Sequence, residues 1–145
     1  MIEQDELLKL DNQLCFALYS AHLAFNQKYR KLLAPLGITY PQYLVMLVLW
    51  EKDHVTVSEI GKKLFLESST LTPMLKRLEK MELISRQRSE KDERQVFISL
   101  TEKGHQLKQQ AQAIPENLLG NIHCNLQSLS ELKQQLDDLR AKLIE

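Results

Sequence analysis

Apolar residues recur at steps of three and four near the start of the chain, at Leu7, Leu10, Leu14, Leu18, Ala21 and Phe25. That spacing places them on one stripe and predicts a long first helix. Pro35 and Gly37 end it. Pro41 suits the first turn of a second helix, and the apolar run from Tyr43 to Trp50 predicts burial on most of its sides. Thr56 and Glu59 have the spacing of a capping box, so a short third helix is expected from about Val57 to Leu64. Ser68, Ser69 and Thr70 offer cap hydroxyls for a fourth helix whose inward stripe is Leu71, Leu75 and Leu78. Pro73 fits that helix if it falls in or near the first turn, where few N–H groups have helical partners.

After Leu83 the period changes. Leu83 to Arg88 and Gln95 to Leu100 predict two strands joined by the charged turn Ser89 to Arg94, a β-hairpin. Thr101 caps a further helix in which Gly104 is a minor irregularity, and Pro115 marks a break. The chain closes on Leu129, Leu132, Leu136, Leu139 and Leu143, alternating steps of three and four as in a coiled-coil seam. A short helix pair followed by a charged hairpin is the layout of a winged helix-turn-helix, so the expected class is mainly α with a small β-hairpin wing.

A length of 145 residues fits one domain over 1–145, and 43% hydrophobic with 26% charged residues describes a chain able to bury a core. The apolar run ending at Trp50 is far short of the roughly 20 residues that span a bilayer, and the N-terminus lacks a basic leader, so no membrane partner and a cytoplasmic location are expected. Cys15 and Cys124 lie far apart and fit neither a zinc site nor a secreted disulfide framework. His22, His54, His105 and His123 are scattered without ligand spacing, so neither metal nor cofactor is expected.

Nineteen basic and nineteen acidic side chains cancel, so bulk charge says nothing about nucleic acid. Local charge is more informative. Lys62, Lys63, Lys76, Arg77, Arg86, Arg88, Lys91 and Arg94 concentrate in the middle of the chain. In a helix-turn-helix the second helix enters the major groove, and its polar face here carries Ser69, Thr70, Thr72, Lys76 and Arg77. Hydroxyls can meet phosphates or base edges, arginine can pair with guanine, and Arg86, Lys91 and Arg94 on the hairpin can reach the minor groove or a phosphate. Taken singly, a polar helix face or a charged hairpin tip is equally well a solvated surface.

Asp92-Glu93-Arg94, followed by Ser99-Leu100-Thr101-Glu102-Lys103-Gly104, resembles the wing of MarR-family transcription regulators. The resemblance covers nearly the whole chain. It implies a homodimer built from N- and C-terminal helices (1–34 and 105–145) around a winged helix-turn-helix (55–103), with Leu132, Leu136, Leu139 and Leu143 against a second copy. Two reading helices one DNA turn apart then imply double-stranded DNA with an inverted-repeat operator.

Asn12-Gln13-Leu14-Cys15-Phe16-Ala17-Leu18-Tyr19-Ser20-Ala21 resembles the first helix of the organic hydroperoxide resistance regulators, a branch of that family. Ile38-Thr39-Tyr40-Pro41-Gln42-Tyr43-Leu44 and Leu71-Thr72-Pro73-Met74-Leu75-Lys76-Arg77 extend the match. By itself Cys15 reads as a small buried hydrophobe. The resemblance implies instead a redox-sensing thiol, with Tyr29 and Tyr40 of the other subunit donating to its sulfur and Tyr19 nearby. Because Cys15 is expected deep within its helix, activation would fall to those phenols rather than to a helix end. Phe16, Met46 and Trp50 are candidate walls for an organic hydroperoxide. Some members of the branch carry a second cysteine near their C-terminal helices, which leaves Cys124 either a resolving thiol or a passive surface residue. Two other readings remain, a regulator released by a reversibly bound phenolic ligand and a thiol peroxidase, though no catalytic Arg or base stands beside Cys15.

Overall fold

The structure is a computed structural model that describes residues 3–144. Its order is α1 (Gln4–Leu7), α2 (Leu14–Leu33), α3 (Tyr40–Glu51), β1 (Val55–Thr56), α4 (Val57–Leu64), α5 (Ser68–Lys80), β2 (Ile84–Arg88), β3 (Val96–Leu100), α6 (Glu102–Ala111), α7 (Ile114–Gly120) and α8 (Leu126–Ile144). This is the winged helix-turn-helix that the pattern predicted. Among the described residues no single helix is long and apolar enough to cross a membrane.

The long first helix is the largest departure. Helix α1 stops at Leu7, a single 3₁₀ turn covers Leu10–Asn12, and α2 begins only at Leu14. Side-chain amides make the break: Asn12 Nδ2 donates to the Glu6 carbonyl at 2.7 Å, and Gln13 Nε2 donates to the carbonyls of Leu7 at 2.6 Å and Lys9 at 2.8 Å. Those bonds satisfy carbonyls that a continuous helix would have used. Leu7 and Leu10 are therefore outside the helix that carries Leu14, Leu18, Ala21 and Phe25.

Both capping boxes on the core helices are present. Thr39 Oγ1 accepts from Gln42 N while Gln42 Oε1 accepts from Thr39 N, and Thr56 and Glu59 do the same for α4. Helix α5 differs from expectation: its cap residue is Glu67, without a side-chain bond, so no serine or threonine hydroxyl caps it. Pro73 lies in its second turn and removes the N–H that would meet the Ser69 carbonyl, so it is an interior proline rather than a first-turn one.

The wing has three strands rather than two. β3 pairs antiparallel with both β2 and the two-residue β1, in the order β1-β3-β2, with Val55 opposite Ile98 and Arg86 also opposite Ile98. Val45, Met46, Leu49, Ile60, Leu71, Leu75, Leu78 and Ile98 form the centre of the core beneath it.

Two glycines sit where the backbone leaves no room for a side chain. A Cβ on Gly61 would lie 2.7 Å from the Leu66 carbonyl oxygen, which sets the tight turn between α4 and α5. A Cβ on Gly104 would lie 2.2 Å from the Leu83 carbonyl oxygen, so this residue is a packing requirement and not a minor irregularity. The Gly104 carbonyl also accepts from Trp50 Nε1 at 3.0 Å, joining α6 to α3.

Outside this unit the chain leaves apolar faces open. Of α2 only Leu33 is buried, while Leu14, Phe16, Leu18, Leu23 and Phe25 are exposed. Helix α8 buries nothing, and Leu132 and Leu143 stand exposed.

Candidate functional site

Lys76 and Thr72 on α5 face Arg86 and Arg88 on β2 and Arg94 in the hairpin turn across a cleft of about 450 Å³. Arg86 and Arg88 come together because alternate residues of a strand share a face. Arg88 was missed as a site residue; that alternation was the signal. Arg88 Nη1 donates to the Glu93 carbonyl at 3.1 Å, Ser89 Oγ accepts from the N–H groups of Lys91 and Asp92, and Asp92 Oδ1 accepts from Arg94 N–H at 3.0 Å. The turn is thus held in shape by its own side chains. Ser69, Thr70, Arg77 and Lys91 are exposed and stand outside the lining of the cleft.

Two of these groups are already engaged. Thr72 Oγ1 donates to the Ser68 carbonyl at 2.8 Å, so its hydroxyl keeps only acceptor capacity. Arg86 Nε lies 3.4 Å from Glu79 Oε1, an ion pair too poorly aligned to count as a hydrogen bond, and Nε itself is buried without another partner. With the side chain 27% exposed, Glu79 positions Arg86 at the seam of α5 and β2.

Cys15 is a free, exposed thiol. It is the second residue of α2, not deep inside a helix as the apolar stripe suggested. It stands in the first turn of α2, where the backbone N–H groups have no acceptor within the helix. Tyr19 is one turn further along on the same face, 63% exposed.

Tyr29 and Tyr40 are elsewhere. Tyr29 lies fourteen residues beyond Cys15 along α2, about 21 Å of rise, so the phenol cannot reach the sulfur of its own chain. Tyr29 instead packs on Tyr40 with ring centroids 4.5 Å apart, and Tyr43, absent from the sequence-based set, joins them at 5.9 Å from Tyr29. Burial pushes all three phenols up. Tyr29 rises to about 12, first through burial and then through the neighbouring Tyr40 and Tyr43. They remain neutral O–H donors at every physiological pH.

The suggested apolar walls separate as well. Met46 is fully buried in the core, Trp50 is half-buried, bonded to Gly104 and lining a separate cleft with Tyr43 and Leu47, and Phe16 is on the open face of α2. Cys124 is exposed in the segment between α7 and α8. His54 and His105 are structural, His54 stacking on Phe97 at 4.6 Å and His105 lying 3.3 Å from Asp53. Among the described residues no three His, Cys, Asp or Glu side chains gather as a metal site.

Residues 27–111 match the family model described as transcriptional regulator SarA/Rot. The organic hydroperoxide resistance transcriptional regulator of Bacillus subtilis is 51% identical over 129 residues, spanning 89% of this chain and 88% of that protein. Solved structures of AbfR, a protein of Staphylococcus epidermidis, are also similar. Its reduced form bound to DNA superposes with a TM-score of 0.79 at 40% identity, covering 99% of this chain and 100% of that one. Its overoxidised form bound to DNA gives 0.74 at 43% (94% and 99%), and its disulfide form 0.63 at 44% (94% and 96%). By sequence and by fold, this chain belongs to the MarR family of winged helix-turn-helix transcriptional regulators, in the branch of the organic hydroperoxide resistance regulators.

Proposed function

We propose that this protein is a homodimeric transcriptional repressor that leaves an inverted-repeat operator when an organic hydroperoxide oxidises Cys15. The carrying observation is the separation of Cys15, at the start of α2, from a protonated phenol pair about 21 Å further along the same helix. Two copies related by a two-fold axis, with their open α2 and α8 faces together, can set the sulfur of one against Tyr29 and Tyr40 of the other. Two phenol donors then favour the thiolate, the form that attacks a peroxide.

The thiolate attacks the terminal peroxide oxygen: an S–O bond forms, the O–O bond breaks, and the alkoxide leaves to take a proton as alcohol. Sulfur is oxidised to the sulfenic acid by the two electrons that the peroxide gains. The thiol of Cys124 in the second copy attacks that sulfur next, forming S–S and expelling water. AbfR is described on DNA both reduced and overoxidised and also in a disulfide form, which favours the bridged state as the one released here. An S–S bond near 2 Å draws helices together, and the reading helices move with them.

In this reading Lys76, Arg77, Lys91, Arg94 and the α5 hydroxyls of Ser69, Thr70 and Thr72 contact DNA, while Arg86 and Arg88 line the groove between helix and wing. The protein works in the cytoplasm, where its operator is. The relatives are regulators rather than enzymes, which leaves peroxide consumption without support. A gel shift with and without cumene hydroperoxide tests the switch: wild type should release its operator and Cys15→Ser should stay bound. Unchanged affinity of the oxidised wild type sinks it. Non-reducing electrophoresis should show a dimer band that Cys124→Ser lacks.

A further inference from the structure

The tight turn between α4 and α5 holds one large side chain away from the core. Leu64 and Leu66 pack against the core on either side, but Phe65 between them is 58% exposed. Its backbone is left-handed, with φ at 59°, a conformation that suits glycine or asparagine at a helix end and strains a bulky residue. The Leu66 N–H then bonds the Gly61 carbonyl at 3.0 Å, and α5 starts two residues later at Ser68. The contact that occupies the ring comes from outside the turn.

Arg140, near the end of α8, makes it. Its guanidinium carbon lies 4.2 Å from the centre of the Phe65 ring, within the range over which a cation is drawn to an aromatic face. On its own helix Arg140 Nη2 is 3.2 Å from Asp137 Oδ1, and Asp137 Oδ2 is 2.6 Å from Lys133 Nζ, so an ion-pair row along α8 steadies the guanidinium. Helix α8 buries none of its own residues, yet here it grips the turn that aims the reading helix.

We propose that Arg140 is a positioning residue for DNA binding: through the Phe65 ring it ties the C-terminal helix to the turn between α4 and α5, and so holds α5 in the placement that reads the operator. With the contact made, the reading-competent population rises, and apparent affinity rises with it. Helix α8 begins two residues after Cys124, so a bond formed at Cys124 pulls on the helix whose far end holds the ring. Loss of the contact on oxidation rests on the redox reading above; its effect on the reduced protein does not.

The test is the operator affinity of the reduced full-length dimer, read by fluorescence anisotropy over a salt series, with urea denaturation of the same samples. Arg140→Gln should weaken binding about tenfold, from two contacts of about threefold each, and leave the slope of log affinity against log salt unchanged. Phe65→Asn should weaken it equally while keeping or raising stability, because asparagine tolerates the left-handed turn. Phe65→Trp and Arg140→Lys should each recover most of the loss, since an aromatic face and a cation remain. The double variant, Arg140→Gln with Phe65→Asn, should bind no worse than either single one. Undiminished affinity in Arg140→Gln, a flatter salt slope, additive losses in the double variant, or losses of affinity that track losses of stability overturn the proposal. If these reduced-state effects stand but a hydroperoxide fails to release wild type, the redox reading falls and the positioning role is upheld.

Discussion

Replacing Gly104 with alanine puts a methyl group 2.2 Å from the Leu83 carbonyl oxygen and 3.1 Å from Leu100 Cδ2. The nearer obstacle is backbone, at the residue that leads into β2, and it must retreat by about 1 Å before an ordinary contact is reached. Thr101 N–H, which bonds the Leu83 carbonyl at 3.2 Å, moves with it. The bond from Trp50 to the Gly104 carbonyl loosens too. Overpacking of this kind costs about 1–3 kcal/mol, and a disturbed buried hydrogen bond adds about 1 kcal/mol. Against this stands the gain of about 1 kcal/mol that alanine normally brings to a helix interior. The net expectation is a loss of roughly 1–3 kcal/mol, or about 3–10 °C in melting temperature. Urea denaturation followed by circular dichroism, at one fixed protein concentration because dimerisation shifts apparent stability, measures it. Gly120→Ala is the control: it ends α7 with nothing within 4 Å of the new methyl and should be neutral or slightly stabilising. A Gly104→Ala protein as stable as wild type would refute the steric argument.

Thr56→Ala removes one half of the α4 capping box and should cost about 1 kcal/mol by the same denaturation assay, with Thr56→Ser largely sparing it. Lys76→Ala in a dimer removes two cations from the groove, so the slope of log affinity against log salt should flatten by about 1.8, read by fluorescence anisotropy on operator DNA. Loss of affinity without any change of slope would place Lys76 off the phosphates. The phenol cluster predicts an alkaline weakness. A phenol raised in the fold contributes stability that is whole below pH 10 and disappears as pH climbs through about 12, so unfolding should set in over that window. Tyr29→Phe should blunt it, and a flat stability profile to pH 12 would contradict the burial of Tyr29.

Local chemistry explains which parts were readable in advance. The limits of α4 follow from Thr56 and Glu59 together with the polar–apolar period, and the structure starts and ends the helix where those residues imply. The hairpin was equally plain, since two β-rich runs flank a charged turn. β1 was not, because two residues carry no period and the strand exists only through its pairing with Ile98 and Phe97, more than forty positions away. The break before Cys15 was hidden for the opposite reason: Leu7 and Leu10 keep helical spacing while the amides of Asn12 and Gln13 end the helix from the polar side. Tyr43 passed for one more apolar position on α3, and only packing shows its ring beside Tyr29. The role of Gly104 depends on where Leu83 folds back, which no window of sequence contains.

Trp50 is the sole indole in the chain, and it joins α3 to α6 through its bond to the Gly104 carbonyl while meeting Tyr43 edge-on at 6.4 Å. Tyrosine light absorbed in the phenol cluster therefore has a single nearby sink, whose emission colour reports whether that one bond is made. The molecule thus carries a built-in optical gauge of the junction between α3 and α6, which needs no attached dye.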